Sequence, residues 1–353
     1  MAGSRQGPIR GRGATINPPN RFDRLVFEPD PEALEAESPR PRTEFFADAS
    51  RSILARNQSP DVGFEFSLNP YRGCEHGCTY CFARPTHETL GFSSGLDFET
   101  KILVKRDAPA LLRDELSRKS WKPQVIALSG VTDPYQPVER RLGLTRACLE
   151  VLAEFRNPVL IVTKNHLVAR DRDVLGDLAR DRAAGVCVSV TSLDGALQRR
   201  LEPRTSPPER RLEAIRMLSE SRVPVGVLVA PVIPGLTDPE MPAILRAAAD
   251  AGARFAGYVP LRLPYAVKEL FERWLEDHFP DRKEKVLGRI RDLRGGKLND
   301  PRFGSRLRGE GIFAEEIRAL FTIACRRAGI ADGRAELSAA AFRRPGAAQL
   351  SLW

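Results

Sequence analysis

At 353 residues the chain has room for one large domain with extensions, and its 55 basic residues, mostly arginine, outnumber 46 acidic ones for a net charge of +9. It has no run of 18 apolar residues to span a bilayer, and the opening MAGSRQGPIRGRGATINPP lacks an apolar secretion core, so the expectation is a cytoplasmic protein with no membrane segment. Thiols stay reduced in that compartment, which argues against a disulfide framework. The basic excess favours a polyanion such as nucleic acid, unless the arginines only alternate with acids along solvated helix faces.

In chain order, residues 1–60 mix Pro-rich contexts with interspersed charge and little periodicity, the texture of an extended, partly ordered arm. Six short apolar runs follow: FEFSL at 64–68, QVIALSG at 124–130, PVLIVTK at 158–164, GVCVSVTS at 185–192, PVGVLVAP at 224–231 and RFAGYVPL at 254–261. They are continuous, not alternating, as strands covered on both faces are. Helical patterns separate them: APALLRDELSRK, LTRACLEVLAEF, RDVLGDLARDRA, SPPERRLEAIRMLSES and DPEMPAILRAAADAG, the last two opening on Ser206 and Asp238 as caps. Six βα units at 61–265 predict a right-handed parallel α/β sheet, either doubly wound or barrel-like.

The stretch 82–123 is long for one connection and predicts an added hairpin or helix around LGFSSGLDFETKILVK. Residues 266–353 read as a helical appendage interrupted by GGKLNDPRFGSRLRGEG, with a loose tail over the last dozen residues. The loop 291–311 carries six basic residues (Arg291, Arg294, Lys297, Arg302, Arg306, Arg308) against Asp292, Asp300 and Glu310. It serves either as a polyanion clamp or as a loop tied internally by Arg–carboxylate bonds.

Residues 74–81 read CEHGCTYC. Cys74, Cys78 and Cys81 leave the C-terminal end of the first strand, the end where α/β sheets carry their sites. Their spacing lets one loop wrap three thiolates, soft ligands suited to zinc or iron–sulfur, around one metal centre. His76 could complete a zinc site, although its place between two ligands strains simultaneous binding. Cys148, Cys187 and Cys325 fall in helix or strand patterns where buried, inert cysteine is the default. Three ligands without a fourth fit a centre that keeps one coordination position open.

This CxxxCxxC loop, with Tyr80 before its third cysteine, resembles the cluster loop of the radical S-adenosylmethionine (radical SAM) enzymes over residues 61–265. The resemblance implies a partial (β/α)6 TIM-like barrel, with Cys74, Cys78 and Cys81 holding three irons of a [4Fe-4S] cluster and S-adenosyl-L-methionine chelating the fourth. It also implies an electron donor such as flavodoxin or ferredoxin, reductive cleavage of the cofactor, and a 5′-deoxyadenosyl radical that abstracts hydrogen from a substrate. LNPYRGCEHGCTYCFARP, TDPYQPVE, VTKN, RDRDVL, RLEPR, GRGATINPPNRF and NDPRFGSRLRG resemble the subgroup related to spore photoproduct lyase, which points to nucleic acid as substrate. The cysteine which that lyase uses as hydrogen donor has no counterpart in LSGVTDPYQP.

Strand-end residues then become candidate cofactor contacts: Thr132 and Asp133 for the methionine ammonium, in place of the family's Gly-Gly-Glu, and Lys164 for its carboxylate. Ser189, Thr191 and Ser192 would serve the ribose or carboxylate, and Val232 and Ile233 the adenine. Each of the polar ones also reads as a cap for the next helix. Tyr135, Tyr258 and Tyr265 are candidates for relaying a hydrogen atom or for lining the pocket. Two other readings remain open at this point: a non-enzymatic zinc or iron–sulfur protein that binds nucleic acid, and a radical SAM enzyme acting on a protein or metabolite.

Overall fold

The computed structural model describes residues 7–23 and 41–345. Its strands are β1 (Glu44–Ala47), β2 (Leu54–Arg56), β3 (Phe66–Leu68), β4 (Tyr71–Arg72), β5 (Lys101–Val104), β6 (Ile126–Leu128), β7 (Val159–Thr163), β8 (Ala184–Ser189), β9 (Val225–Val232), β10 (Phe255–Pro260) and β11 (Ala331–Asp332). The six apolar runs become β3, β6, β7, β8, β9 and β10, which lie side by side in sequence order with every neighbouring pair parallel. A doubly wound sheet reverses its order at a switch point; this one does not.

Right-handed crossovers in an unreversed order put the connecting helices on one face. Helices Ala108–Ser117, Leu144–Phe155 and Arg172–Arg180 accordingly pack in succession, as do Pro208–Glu220, Met241–Asp250 and Ile312–Ala328. The main core lies between them and the sheet, with Val159, Ile161, Val186, Val188, Val225 and Val227 facing it. Each such side chain contributes about 1.5–3 kcal/mol relative to exposure. The result is a mixed α/β fold on a parallel sheet, consistent with a partial barrel. The sheet runs to eight strands, because β2 joins β3 antiparallel and β11 joins β10 parallel.

Much of the expected extended, partly ordered arm is built into this body. β1 pairs parallel with β5, which pairs antiparallel with β4, and residues 7–23 lie against the segment that follows the cysteines. The long connection holds a 3-10 helix (Arg84–Leu90), a short helix (Leu96–Thr100) and β5, so it is a helix and a strand and not a hairpin. Ser206 does not cap its helix; its hydroxyl donates to Asn165 Oδ1 at 3.1 Å.

The C-terminal helices Val267–His278 and Lys283–Leu293 bury Phe271, Trp274, Leu287 and Ile290 against Ile233, Leu261 and the cysteine loop. They wall the site. The tail is docked as far as it is described: Ser338 N and Arg343 N donate to the carbonyls of Arg182 and Phe155 at 2.9 Å, and Arg344 donates to that of Trp121 at 3.0 Å. Those carbonyls precede β8, β7 and β6, so the tail crosses the strand ends opposite the cysteines. Its final residues, 346–353, lie outside the described residues, as do 1–6 and 24–40 of the arm. Among the described residues no helix is long and apolar enough to cross a membrane.

The loop 291–311 is tied both internally and to the rest of the fold. Arg294 is buried and donates to the carbonyls of Leu261 and Arg306 at 2.8 Å, Arg302 pairs with Asp300 and Glu310, and Arg306 pairs with Asp61.

Candidate functional site

The cysteine loop turns at two residues in the left-handed region, Gly73 (φ 79°) and Gly77 (φ 67°), where a side chain would be strained. The TDPYQPVE segment holds it from one side. Gln136 donates to the Gly73 carbonyl at 3.2 Å and accepts from Glu75 N at 3.0 Å, and Val138 N donates to the Glu75 carboxylate at 2.8 Å. His76 is clamped at both nitrogens, by Asp133 at 3.3 Å and Asn165 at 3.1 Å. It is therefore not free to be a fourth metal ligand.

The three thiols are free, Cys74 and Cys78 buried and Cys81 partly so. Cys81 packs both with Cys74, Ala83 and Phe98 and with the cluster containing Cys78 and Tyr80, so it joins the two. Burial, then Asp133 for Cys74 and Glu202 for Cys78, pushes these thiols up, which makes the neutral thiol the metal-free form. Cys148 and Cys325 lie in the main core and Cys187 on β8, outside the loop. Among the described residues no group of three or more His, Cys, Asp or Glu is placed to hold a single metal ion. A four-iron cluster is a larger body that thiolates reach from separate sides; three thiolates fit three of its irons and leave the fourth for a ligand from outside the chain.

Beside the loop, successive strand ends build a buried polar cluster. Lys164, after β7, donates to Ser189 Oγ at 2.8 Å, Thr191 Oγ1 at 3.1 Å and the Ala230 carbonyl at 2.7 Å, and lies 3.1 Å from Glu202. Glu202, fully buried, also accepts from the Tyr80 hydroxyl, from Thr191 at 2.6 Å and from Arg211. Burial would raise the Glu202 carboxyl, but Arg211, Lys164, Thr191 and Tyr80 hold it well below the usual carboxylate range. Burial and the Glu202 charge push the Tyr80 phenol far above its ordinary value, so it donates as a neutral group.

Tyr80, Lys164, Ser189 and Thr191 are thus brought together, and Ile233 packs in the same apolar cluster as Cys78 and Tyr80. The other candidates go elsewhere. Asp133 is spent on scaffolding: its oxygens accept from Tyr135 N, Thr163 Oγ1 and Lys164 N at 2.7–2.8 Å besides contacting His76, which fills the carboxylate. Thr132 donates to the Tyr71 carbonyl at 3.0 Å. Ser192 donates to Glu240 at 2.7 Å, and Val232 is buried on β9 opposite Pro260.

Tyr135 is fully buried in the main core beside Asp171, and Tyr258 lies against Phe321 of the outer helix at 4.7 Å between centroids. Tyr265 is exposed, with the Arg21 guanidinium 3.6 Å from its ring centroid. Glu202, Arg211, Gln136 and Asn165 were missed by sequence reasoning. RLEPR marks Glu202 only as an acid among arginines, which is how a solvated helix end also reads.

Comparison with known proteins agrees with this geometry. The radical SAM superfamily matches residues 68–248. Uncharacterised proteins of Mycobacterium tuberculosis and Mycobacterium bovis are each 37% identical over 260 residues, 72% of this chain and 75% of theirs. One of Methanocaldococcus jannaschii is 28% identical over 184 residues, 52% of this chain and 66% of its own. Among solved structures, a spore photoproduct lyase variant superposes with a TM-score of 0.59 at 17% identity, covering 82% of this chain and 81% of that one. A variant with bound AdoMet and dinucleoside spore photoproduct gives 0.58 at 16% identity, covering 82% and 80%. The chain belongs to the radical SAM superfamily and is an enzyme.

Proposed function

We propose that Cys74, Cys78 and Cys81 hold a [4Fe-4S] cluster in a partial (β/α)6 barrel, that S-adenosyl-L-methionine completes the cluster, and that the substrate is a nucleic acid or nucleotide. The observation that carries this reading is the three-thiol loop at the strand ends, pinned by Gln136 and by a His76 whose two nitrogens are already engaged. When bound, the two cofactors and an electron from a donor such as flavodoxin or ferredoxin supply a 5′-deoxyadenosyl radical that takes a hydrogen atom from the substrate.

The chain's own residues bind, orient and exclude water. Glu202, itself paired with Arg211, holds Lys164 at the strand ends, where a cofactor carboxylate would take the place of one of the ammonium's present acceptors, Ser189, Thr191 or the Ala230 carbonyl. Ser189 and Thr191 offer hydroxyls there, and Ile233 offers an apolar contact. The C-terminal helices wall the loop with Phe271, Trp274 and Leu287, which keeps it dry. Support for a polyanionic substrate comes from the mouth. Phe82, next to Cys81, is 53% exposed with the Arg262 guanidinium 5.7 Å from its ring centroid. Arg262 Nε is buried with no hydrogen-bond partner among the described residues. A guanidinium with one N–H lacking a partner, beside an exposed ring, suits a phosphate next to a base.

The test is anaerobic reconstitution with iron and sulfide, reduction, addition of S-adenosylmethionine and chromatography for 5′-deoxyadenosine. Formation that requires reductant and all three loop cysteines is the expected result. Stoichiometric zinc with no cluster would overturn the reading.

A further inference from the structure

The superfamily match begins at residue 68, yet a segment far upstream of it lies directly on the cysteine loop. Gly13 N and Ala14 N donate to the two oxygens of Glu99 at 3.1 and 2.8 Å, and Arg12 donates to the Glu99 carbonyl at 3.0 Å. The Gly13 carbonyl accepts from the hydroxyl of Thr79, between Cys78 and Tyr80, at 3.3 Å. A Cβ on Gly13 would stand 1.7 Å from the Gly77 carbonyl oxygen, a backbone atom that cannot rotate away.

Glu99 is fully buried and also pairs with Arg84, whose Nε donates to the Cys78 carbonyl at 3.0 Å. The contact continues along the segment: Leu96 N donates to the Ile16 carbonyl at 3.2 Å, Ser93 Oγ to that of Pro18 at 2.7 Å, and Asn20 to that of Glu88 at 2.9 Å. Arg21 then pairs with Glu88.

We infer that residues 12–21 form a strap that belongs to the cluster site, setting through Glu99, Arg84 and Thr79 the backbone positions of Gly77 and Cys78. The inference rests on the reading that the three cysteines hold the cluster. Gly13, Thr79, Arg84 and Glu99 are positioning residues in this scheme. A buried carboxylate satisfied by two strap amides and one guanidinium holds all three in fixed relation, because freeing any of them leaves an unpaired lone pair away from water. Without the strap, Glu99 keeps only Arg84 and the Thr79 hydroxyl loses the Gly13 carbonyl, so the loop spreads and its metal becomes accessible.

Two variants of the full chain test this: Gly13→Ala, and Ala14→Pro, which removes a strap N–H from Glu99 and leaves the Glu99–Arg84 pair in place. Wild type and variants are loaded anaerobically with iron and sulfide, and loss of visible cluster absorbance is followed in excess ferrous chelator. The thermal midpoint of each metal-free protein is measured alongside. The expected result is cluster loss roughly ten- to a hundredfold faster in the variants, with metal-free midpoints close to wild type. A wild-type rate in both variants overturns the inference, and so does collapse of the metal-free fold in both, since the strap would then serve the scaffold as a whole. A wild type that takes up no iron and sulfide overturns the cysteine assignment itself, a failure visible before any variant is compared.

Discussion

Cys78 and Glu202 are close neighbours with different duties. Cys78 is one of three thiols on a loop whose shape is held by backbone and side-chain bonds from Gln136, Arg84 and Thr79 and not by the sulfur. Cys78→Ala should therefore abolish iron and sulfide retention while leaving the far-ultraviolet circular dichroism of the metal-free protein unchanged, and retention of full iron would remove Cys78 from the ligand set. Glu202 is structural in the strict sense. Its carboxylate compensates the buried Arg211 guanidinium and fixes Lys164 and Tyr80. Glu202→Gln leaves a buried cation uncompensated and should lower unfolding free energy in urea by on the order of 3 kcal/mol, where a surface carboxylate would give almost nothing.

The short elements after the cysteines carry a pH dependence of their own. His87, on the 3-10 helix Arg84–Leu90, is fully buried, stacked on Phe92 at 5.2 Å and edge-on to Phe98 at 5.5 Å. Burial pulls its pKa down to about 4, against the charge of Asp97. A folded value below the unfolded one of about 6.5 means that protonation favours unfolding. The contribution of neutral His87 is thus whole above about pH 6.5 and is lost as pH falls toward 4, on the order of 3 kcal/mol in total. Denaturation midpoints of the metal-free protein between those values should show the loss in wild type and a flatter profile in His87→Leu. The same elements show where local patterning runs out. LGFSSGLDFETKILVK was legible as structured, but its division into a helix and β5 depends on β1 and β4 being there to pair with.

Across the whole molecule, the net charge of +9 includes many internally paired arginines, so on the proposed nucleic-acid reading Arg262, whose Nε lacks a partner among the described residues, should register in binding. Affinity for a single-stranded oligonucleotide should fall with salt with a log–log slope of about −0.7 per phosphate contact. Arg262→Gln should flatten that slope by about one contact, and an unchanged slope would remove Arg262 from the interface. The sequence by itself determined the six parallel strands and the loop that carries the three thiols. Continuous apolar runs and close cysteine spacing are local signals, set within a few residues of one another. Only the tertiary structure decided which polar residues gather beside the cysteine loop. Asp133 and Lys164 both read as strand-end polar groups; Asp133 is filled by His76, Thr163 and backbone amides, and Lys164 gives its three N–H groups to Ser189, Thr191 and the Ala230 carbonyl beside Glu202. Glu202, Glu99 and the strap at residues 12–21 came into view only with the fold, because burial and long-range partners are properties of packing, which no stretch of sequence carries alone.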